Sequence, residues 1–399
     1  MKKIFITFFE ILNFLFSTIF CIYLFLSIYF KDKKTLIFLN PESGFGPSLL
    51  KPYLLSLYAK KYKLKKYILI FGYDFRRHNK YTKYFFNENF VWLKLNFKFL
   101  KFGFVNFKYK NLTFKLMNLL IHFFSNKKAY YFNDYFEKYL KVSHITEEKK
   151  NHYGNTNKLN IFLLNNEKFS NNLTNEINKY FNIGIKFKKK KCAFFIRNKG
   201  LGSADPSSSM RNSSNIDYYY PAIKSAIELG WQVFLSGDIE FKKSWFDNFG
   251  NNLIYPQKFN DIDLYNVFVG AKANCLIAVG SGPLSYKYLD YKKSCLVIEG
   301  VPLGFGWYKS TVAYKFPLKK KTISEIFLPQ NMNYKKKQVF KNYSKNEIEK
   351  IVTDYLKNYK PGKVYGYLPS KNILKDNFYF KSSGARISKK WIEIYKKKY

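Results

Sequence analysis

The residues able to do chemistry gather between Arg197 and Glu299, with one outlier near Glu42. Arg197 closes the apolar run CAFFI and precedes a Ser/Gly-rich stretch carrying Asp205, Arg211 and Asn212. A helical pattern then starts near Ile216. Two guanidiniums and a helix N-terminus converging on one crevice would hold a phosphate or diphosphate. A second constellation lies in IAVGSGPLSYKYL. Residues 275–279 read there as a strand, Gly280, Ser281 and Gly282 as a tight turn, and Pro283 as the first helical turn. Backbone N–H groups of Ser281, Gly282 and Leu284 could cradle an anion. Gly237 and Asp238 end another strand, and Glu299 and Gly300 end the run SCLVIEG. Carboxylates at such ends could meet ribose or sugar hydroxyls, although a solvated loop carboxylate is the commoner case. Glu42 stands between Pro41 and a turn holding Gly44 and Gly46, where it could deprotonate a hydroxyl acceptor. Asp74 and His78 are weaker candidates for that role. Each group also has a plain reading: a surface arginine, a simple strand-to-helix turn, a solvated carboxylate.

These groups need elements that bring them together. Residues 192–306 read as strand and helix in alternation, with polar and Gly-rich turns at the strand ends. Polar groups beyond the carboxyl ends of such strands form the usual ligand crevice of an open α/β sheet. Eleven of the 20 glycines fall between Gly200 and Gly306, so special backbone geometry is concentrated in this part. Nearer the start, residues 36–39 and 67–71 read as strands around a helical pattern at 49–62, the opening of a second parallel sheet. The stretch from about 75 to 185 is rich in Lys, Asn, Phe and Tyr, and its elements are not separable by pattern. The DID at 261–263 reads as a helix start, and further helices are expected at 347–359 and 388–395.

The fold class expected is α/β with two facing Rossmann-like domains. The domain boundaries are a hydrophobic membrane-anchor helix at 1–33, a first α/β domain at 34–186, a second α/β domain at 187–370 and a basic tail with a helix at 371–399. The basic run at 186–191 is either the interdomain linker or the solvated end of a strand.

The 399 residues carry a formal charge of +42, with 47% hydrophobic and 21% aromatic residues. That excludes a disordered chain and permits two cores. The lysines are spread along the chain and accompany Asn, Ile, Phe and Tyr, as an AT-rich genome favours. No nucleic-acid-binding signature goes with them, so nucleic acid is not the expected partner. Attraction to an anionic membrane or polyanionic substrate is the functional alternative. Cys21, Cys192, Cys275 and Cys295 lie far apart, which fits buried reduced thiols. The four histidines have no metal-ligand spacing, and no metal or cofactor is expected. The chain lacks a phosphate-binding GxxxxGK[ST] loop, a GxGxxG turn, a GxSxG elbow and a convincing metal-binding DxD.

Between Glu10 and Lys31 lie 20 residues without a charge, enough to cross a bilayer as a helix. No small-residue cleavage site follows. A spanning anchor, a helix lying in the membrane interface and a core helix all fit this segment. Lysines on both flanks leave orientation open, while the basic body after residue 31 favours a cytoplasmic catalytic portion on the inner face of a bacterial inner membrane.

At Arg197, Asp205 and Arg211-Asn212, followed by YYYPAIKSAIELGWQVFLSGD, the chain resembles a bacterial family of glycosyltransferases linked to surface-carbohydrate synthesis, of the GT-B two-domain type. The resemblance continues through DLYNVFVGAKANCLIAVGSGPLSYKYL, and it covers roughly 115 residues. It implies a carboxyl-terminal domain that holds a nucleotide sugar and an amino-terminal domain that holds the acceptor. Arg197, Asp205, Arg211, Asn212, Gly237, Asp238, Ser281, Gly282 and Pro283 would then bind the donor, Gly44 and Gly46 would form the acceptor loop, and Glu42 would be the base. Relatives often carry a His beside that loop, where this chain reads GFGPS. The expected partners are a nucleotide-sugar donor, a glycan or glycolipid acceptor and the membrane. A non-catalytic nucleotide- or carbohydrate-binding protein on the membrane is the alternative from another class, and a membrane protein that binds lipid or polyanions through its basic surface is a third.

Overall fold

A computed structural model gives the architecture. It describes the backbone of four strands and helical positions Ile19, Ile22, Leu26 and Leu119 in a first unit, Met1–Ser143. In the second unit, His144–Tyr399, it describes residues 189–197, 215–237, 243–255, 262–280, 284, 293–300, 310–319, 321, 340–368 and 385–399. Residues flanking the expected boundary at 186/187, and the segment at 371–384, lie outside the described residues.

The first unit contains a sheet of four parallel strands: β1 (Leu36–Asn40), β2 (Tyr67–Tyr73), β3 (Phe90–Lys94) and β4 (Ala129–Tyr131). Their order is β3-β2-β1-β4, and Leu36 pairs with Tyr67 to set the register of the two expected strands. A parallel pair needs a crossover between its strands, as the pattern of the sequence anticipates.

The second unit is built on a separate sheet of seven parallel strands. They are β5 (Lys191–Ile196), β6 (Gln232–Gly237), β7 (Leu253–Ile254), β8 (Cys275–Ala278), β9 (Ser294–Gly300), β10 (Ser310–Tyr314) and, after a small antiparallel pair β11 (Phe316–Pro317) and β12 (Phe340–Lys341), β13 (Arg386–Ile387). The order across the sheet is β13-β10-β9-β8-β5-β6-β7. All six residues of β5, four of β8 and seven of β9 are buried. Continuous apolar runs such as CAFFI and SCLVI are what a parallel strand covered on both faces requires. The described cysteines, Cys192, Cys275 and Cys295, are thiols in no disulfide, buried on three neighbouring strands, and burial pushes the Cys192 and Cys275 thiols well up. They are inert packing groups.

Five helices are described in this unit: α1 (Tyr220–Glu228), α2 (Lys243–Phe249), α3 (Ile262–Lys272), α4 (Lys345–Lys357) and α5 (Lys389–Lys398). A 3-10 turn at Ile216–Tyr219 leads into α1, capped by the Asn215 side chain on the Asp217 N–H at 3.1 Å. Pro221 suits the first turn. The helix ends where Gly230, at φ 86, lets Trp231 N–H reach the Ala226 carbonyl and Gly230 N–H the Ile227 carbonyl. That is the paired closure a left-handed glycine makes possible. Helix α4 lies beside α1, with Ser225 donating to Glu349 at 2.9 Å, and both helices start at the same edge of the sheet. It opens with a capping box: Glu347 N–H donates to the Ser344 hydroxyl, and Ser344 N–H donates to the Glu347 carboxylate.

The end of the chain, read from the sequence as a basic tail with a helix, is part of this core. Strand β13 pairs with β10, and α5 buries Trp391 and Tyr395. Trp391 stacks near Phe316 and donates its indole N–H to the Tyr314 carbonyl at 2.6 Å. Lys398 lies 4.4 Å from the Phe316 ring centre and bonds Glu347 at 2.7 Å, so α5 is tied to α4.

Burial would raise the Glu347 pKa, but its bonds to Lys398 and Ser344 outweigh burial and hold it below the ordinary 4.5. A carboxylate depressed on folding adds stability above its unfolded value and loses it as pH falls through the folded one. Gln at this position keeps the capping box but loses the ion pair. Glu347→Gln should therefore lower the melting temperature at pH 7 and lower it by less at about pH 3. Thermal melts at both pH values check this, and an equal deficit at both would contradict it.

Candidate functional site

The strand order reverses direction between β5 and β8. From β5 the chain crosses to β6 and then β7 on one side, and from β8 to β9 and β10 on the other. Crossovers diverge at such a reversal and leave a crevice at the carboxyl ends of the two central strands. Arg197 is the residue directly after β5, and it is half-buried. Gly280, also buried, follows β8 after Val279. Phe195 and Ala278 are register partners, so Arg197 and Gly280 lie the same two residues beyond a shared pair. The two constellations singled out in the sequence thus leave the sheet side by side at its switch point. Leu284, four residues beyond Gly280, is buried.

Across the carboxyl edge the sheet presents Gly237 on β6, Arg197 on β5, Gly280 on β8, Glu299 on β9 and Lys315 after β10. Gly237 has a packing explanation. It sits at φ 123 opposite Ile196, and a Cβ there would lie 1.8 Å from the Ile196 carbonyl oxygen. The close approach of β6 to the end of β5 therefore demands glycine. Glu299 corrects the reading of a solvated or ribose-facing carboxylate: it is wholly buried. Its Oε2 accepts a bond from the Tyr219 hydroxyl at 2.5 Å. Lys315, also buried, is held below the usual lysine range by burial, and the nearby Glu299 charge opposes that shift. Its N–H donates to the Gly300 carbonyl at 2.8 Å. Tyr219 escaped the sequence reading; its signal was a run of three tyrosines before the first proline of a helix.

Asp205, Arg211, Asn212, Asp238, Ser281, Gly282, Pro283, Glu42, Gly44, Gly46, Asp74 and His78 lie outside the residues whose side chains are described. Among the described residues no group of three His, Cys, Asp or Glu could hold a metal ion. Among them, too, no helix is long and apolar enough to cross a membrane. The expected anchor lies outside the described residues except at Ile19, Ile22 and Leu26, which are helical.

Beside this edge, a cavity of about 320 Å³ opens between the first turns of α1, α2 and α4. Asp217, Tyr220, Trp245, Asn248 and Lys345 line it, and Tyr220 packs edge-on against Trp245 at 5.2 Å.

Two glycines separate conformational strain from collision. Gly230 and Gly237 both have positive φ, but nothing lies within 4 Å of a Cβ at Gly230. Gly230→Ala should lose roughly 1 kcal/mol of stability. Gly237→Ala, which also drives into Ile196, should lose at least about 2 kcal/mol more. Urea unfolding of both variants tests this; equal losses would refute the close approach at the end of β5.

No family model and no curated protein matches the sequence. Among solved structures, a glycosyl transferase family 9 protein from Veillonella parvula is similar at 14% identity, with 82% of this chain and 98% of that one covered and a TM-score of 0.45. E. coli ADP-heptose LPS heptosyltransferase II is similar at 10% identity, over 67% of this chain and 86% of that one, with a TM-score of 0.36. The wall teichoic acid polymerase TagF is similar at 12% identity, over 92% and 90% of the two chains, with a TM-score of 0.29.

Proposed function

We propose that the chain is a glycosyltransferase that moves a sugar from a nucleotide sugar to a surface-carbohydrate or lipid-linked acceptor without a metal ion. The observation that carries this reading is the placement of Arg197 and Gly280 on adjacent strand ends at the switch point of the seven-stranded sheet. A cation and a glycine turn at that point suit a diphosphate, and the sequence around them resembles a donor-binding domain.

In this reading the chemistry divides between the two units. Arg197, Arg211 and the N–H groups of the Ser281-Gly282 turn stabilise the negative charge that grows on the departing nucleoside diphosphate. Asp205, Asn212 and Asp238 complete the donor side. Glu42, beside the Gly44 and Gly46 turn, takes the proton from the acceptor hydroxyl as the new bond forms. Charge on the leaving group is neutralised by guanidinium and backbone donors, so a divalent cation is not required.

Membrane association on the cytoplasmic face is part of the proposal. The 20 uncharged residues between Glu10 and Lys31 support it, and Ile19, Ile22 and Leu26 within them are exposed helical positions. An uncharged apolar run of this length buries itself in lipid.

Two experiments test these statements. Arg197→Ala and Arg211→Ala should each weaken nucleotide-sugar binding by roughly 30-fold to several thousand-fold, about 2 to 5 kcal/mol, the usual effect of truncating a charged partner in a desolvated cleft. Calorimetry measures the affinity and a melting curve reports the fold. Unchanged affinity in both variants removes the donor site, and binding without turnover in wild type makes the protein a carbohydrate- or nucleotide-binding module instead. Separately, deleting residues 1–30 should move the protein from the membrane pellet to the supernatant. Retention of the shortened chain in the pellet at high salt would count against that anchor.

A further inference from the structure

We infer that Glu299 is a positioning residue of the carboxyl-edge site and acts through the hydroxyl of Tyr219. The inference rests on the donor-site reading and names the bond that keeps that site in shape. Several independent features meet at this one residue. Glu299 is wholly buried, and it is the one non-glycine residue at positive φ among those described, at φ 52. A glutamate in the left-handed region is uncommon, and such a conformation persists only where its surroundings over-determine it. Packing alone would be better served by glycine, which relieves the backbone, or by an apolar side chain, which needs no partner. The carboxylate instead has partners built for it: the Tyr219 hydroxyl at 2.5 Å and the buried Lys315 within electrostatic reach. A buried charge is retained only when it is paired and hydrogen-bonded.

The topology says what this bond does. Tyr219 ends the 3-10 turn that brings the β5–β6 crossover into α1, on one side of the switch point. Glu299 ends β9, on the other side, with β8 between. It stands two residues beyond Val297, the register partner of Ala278, which is level with Gly280 and Arg197. One hydrogen bond therefore spans the place where the crossovers diverge. It fixes the landing end of the connection that leaves the sheet at Arg197 and re-enters the helix layer at Asn215. Without it the 3-10 turn loses its hydrogen-bonded tie to the end of β9, and the width of the crevice is less narrowly set. Glu299 touches no ligand in this scheme; it sets where the neighbouring groups stand.

The test uses the full chain, with UDP, GDP, CDP, ADP and dTDP as probes in calorimetry and a melting curve for each variant. Tyr219→Phe removes one oxygen and keeps the ring. Tyr265→Phe is the matched control, because Tyr265 is equally buried and its hydroxyl donates to the Leu235 carbonyl at 2.5 Å. Tyr219→Phe should weaken binding of whichever diphosphate wild type prefers by roughly tenfold or more, as loss of a bond to a charged group does. Tyr265→Phe should lower the melting temperature by a similar amount and leave affinity within about twofold. Equal affinity in Tyr219→Phe and wild type overturns the positioning role and leaves the donor site standing. No binding of any probe by wild type overturns the donor site and this inference with it. Should Tyr219→Phe fail to fold, Glu299→Gln keeps an acceptor for Tyr219 where Glu299→Ala has none. Affinity preserved in the Gln variant and lost in the Ala variant supports the route through Tyr219, and equal loss in both excludes it.

Discussion

Strand β5 is hydrogen-bonded to β6 on one side and to β8 on the other, and all six of its residues are buried. That double pairing constrains the rest of the second unit. A strand saturated on both edges and covered on both faces has no room for polar side chains along its length. Polarity is forced to its ends. At the carboxyl end the neighbouring crossovers run in opposite directions, so the polar residues there face a crevice instead of a packed helix. Arg197 owes its position to this arrangement, and Gly280 owes its own to the same arrangement one strand away.

The two edges of the sheet use their polar groups differently. At the amino edge the groups are consumed by one another. Asn274 accepts from Lys191 N–H at 2.7 Å and returns its own N–H to the Lys191 carbonyl at 2.8 Å. The Lys293 ammonium bonds the Ala273 carbonyl, and the Tyr359 hydroxyl the Asn274 carbonyl. Satisfied in this way, the edge is a fixed base. The carboxyl edge instead holds a glycine that lets two strands touch, a half-buried arginine, and a carboxylate on a left-handed backbone that is bonded by Tyr219 and whose charge is felt by Lys315. A rigid end and a charged, backbone-strained end are the two requirements of a site that must hold a polar ligand in a set geometry.

The last residues of the chain close the opposite flank of the sheet. Trp391 and Tyr343 both bond the Tyr314 carbonyl, where β10 gives way to β11. That carbonyl sits beside Lys315, whose ammonium feels the Glu299 charge. Packing at the chain end and order at the carboxyl edge are therefore linked through one short stretch of backbone.

The alternation of apolar runs and helical spacing was enough to name β1, β2, β5, β6, β8 and β9; in the last four, whose residues are buried but for Gly237, a strand covered on both faces writes itself as an unbroken apolar stretch. The acidic start of α3 was legible for a similarly local reason, and the helices expected at 347–359 and 388–395 overlap α4 and α5, whose capping serines the pattern did not single out. Arg197 and Gly280 were visible as residues at strand ends. What the sequence could not contain was adjacency. Strands β7, β11, β12 and β13 are two residues long, and only their partners make them strands. The placement of β8 beside β5, which turns two ordinary loops into one crevice, is set by pairing between residues about 80 apart. Glu299 read as a solvent-facing carboxylate because its charge is local information, whereas its burial depends on Tyr219, 80 positions earlier in the chain. Local chemistry fixes what each residue can do; which residues meet is decided by long-range burial, where the free energy of covering both sheet faces outweighs any local preference.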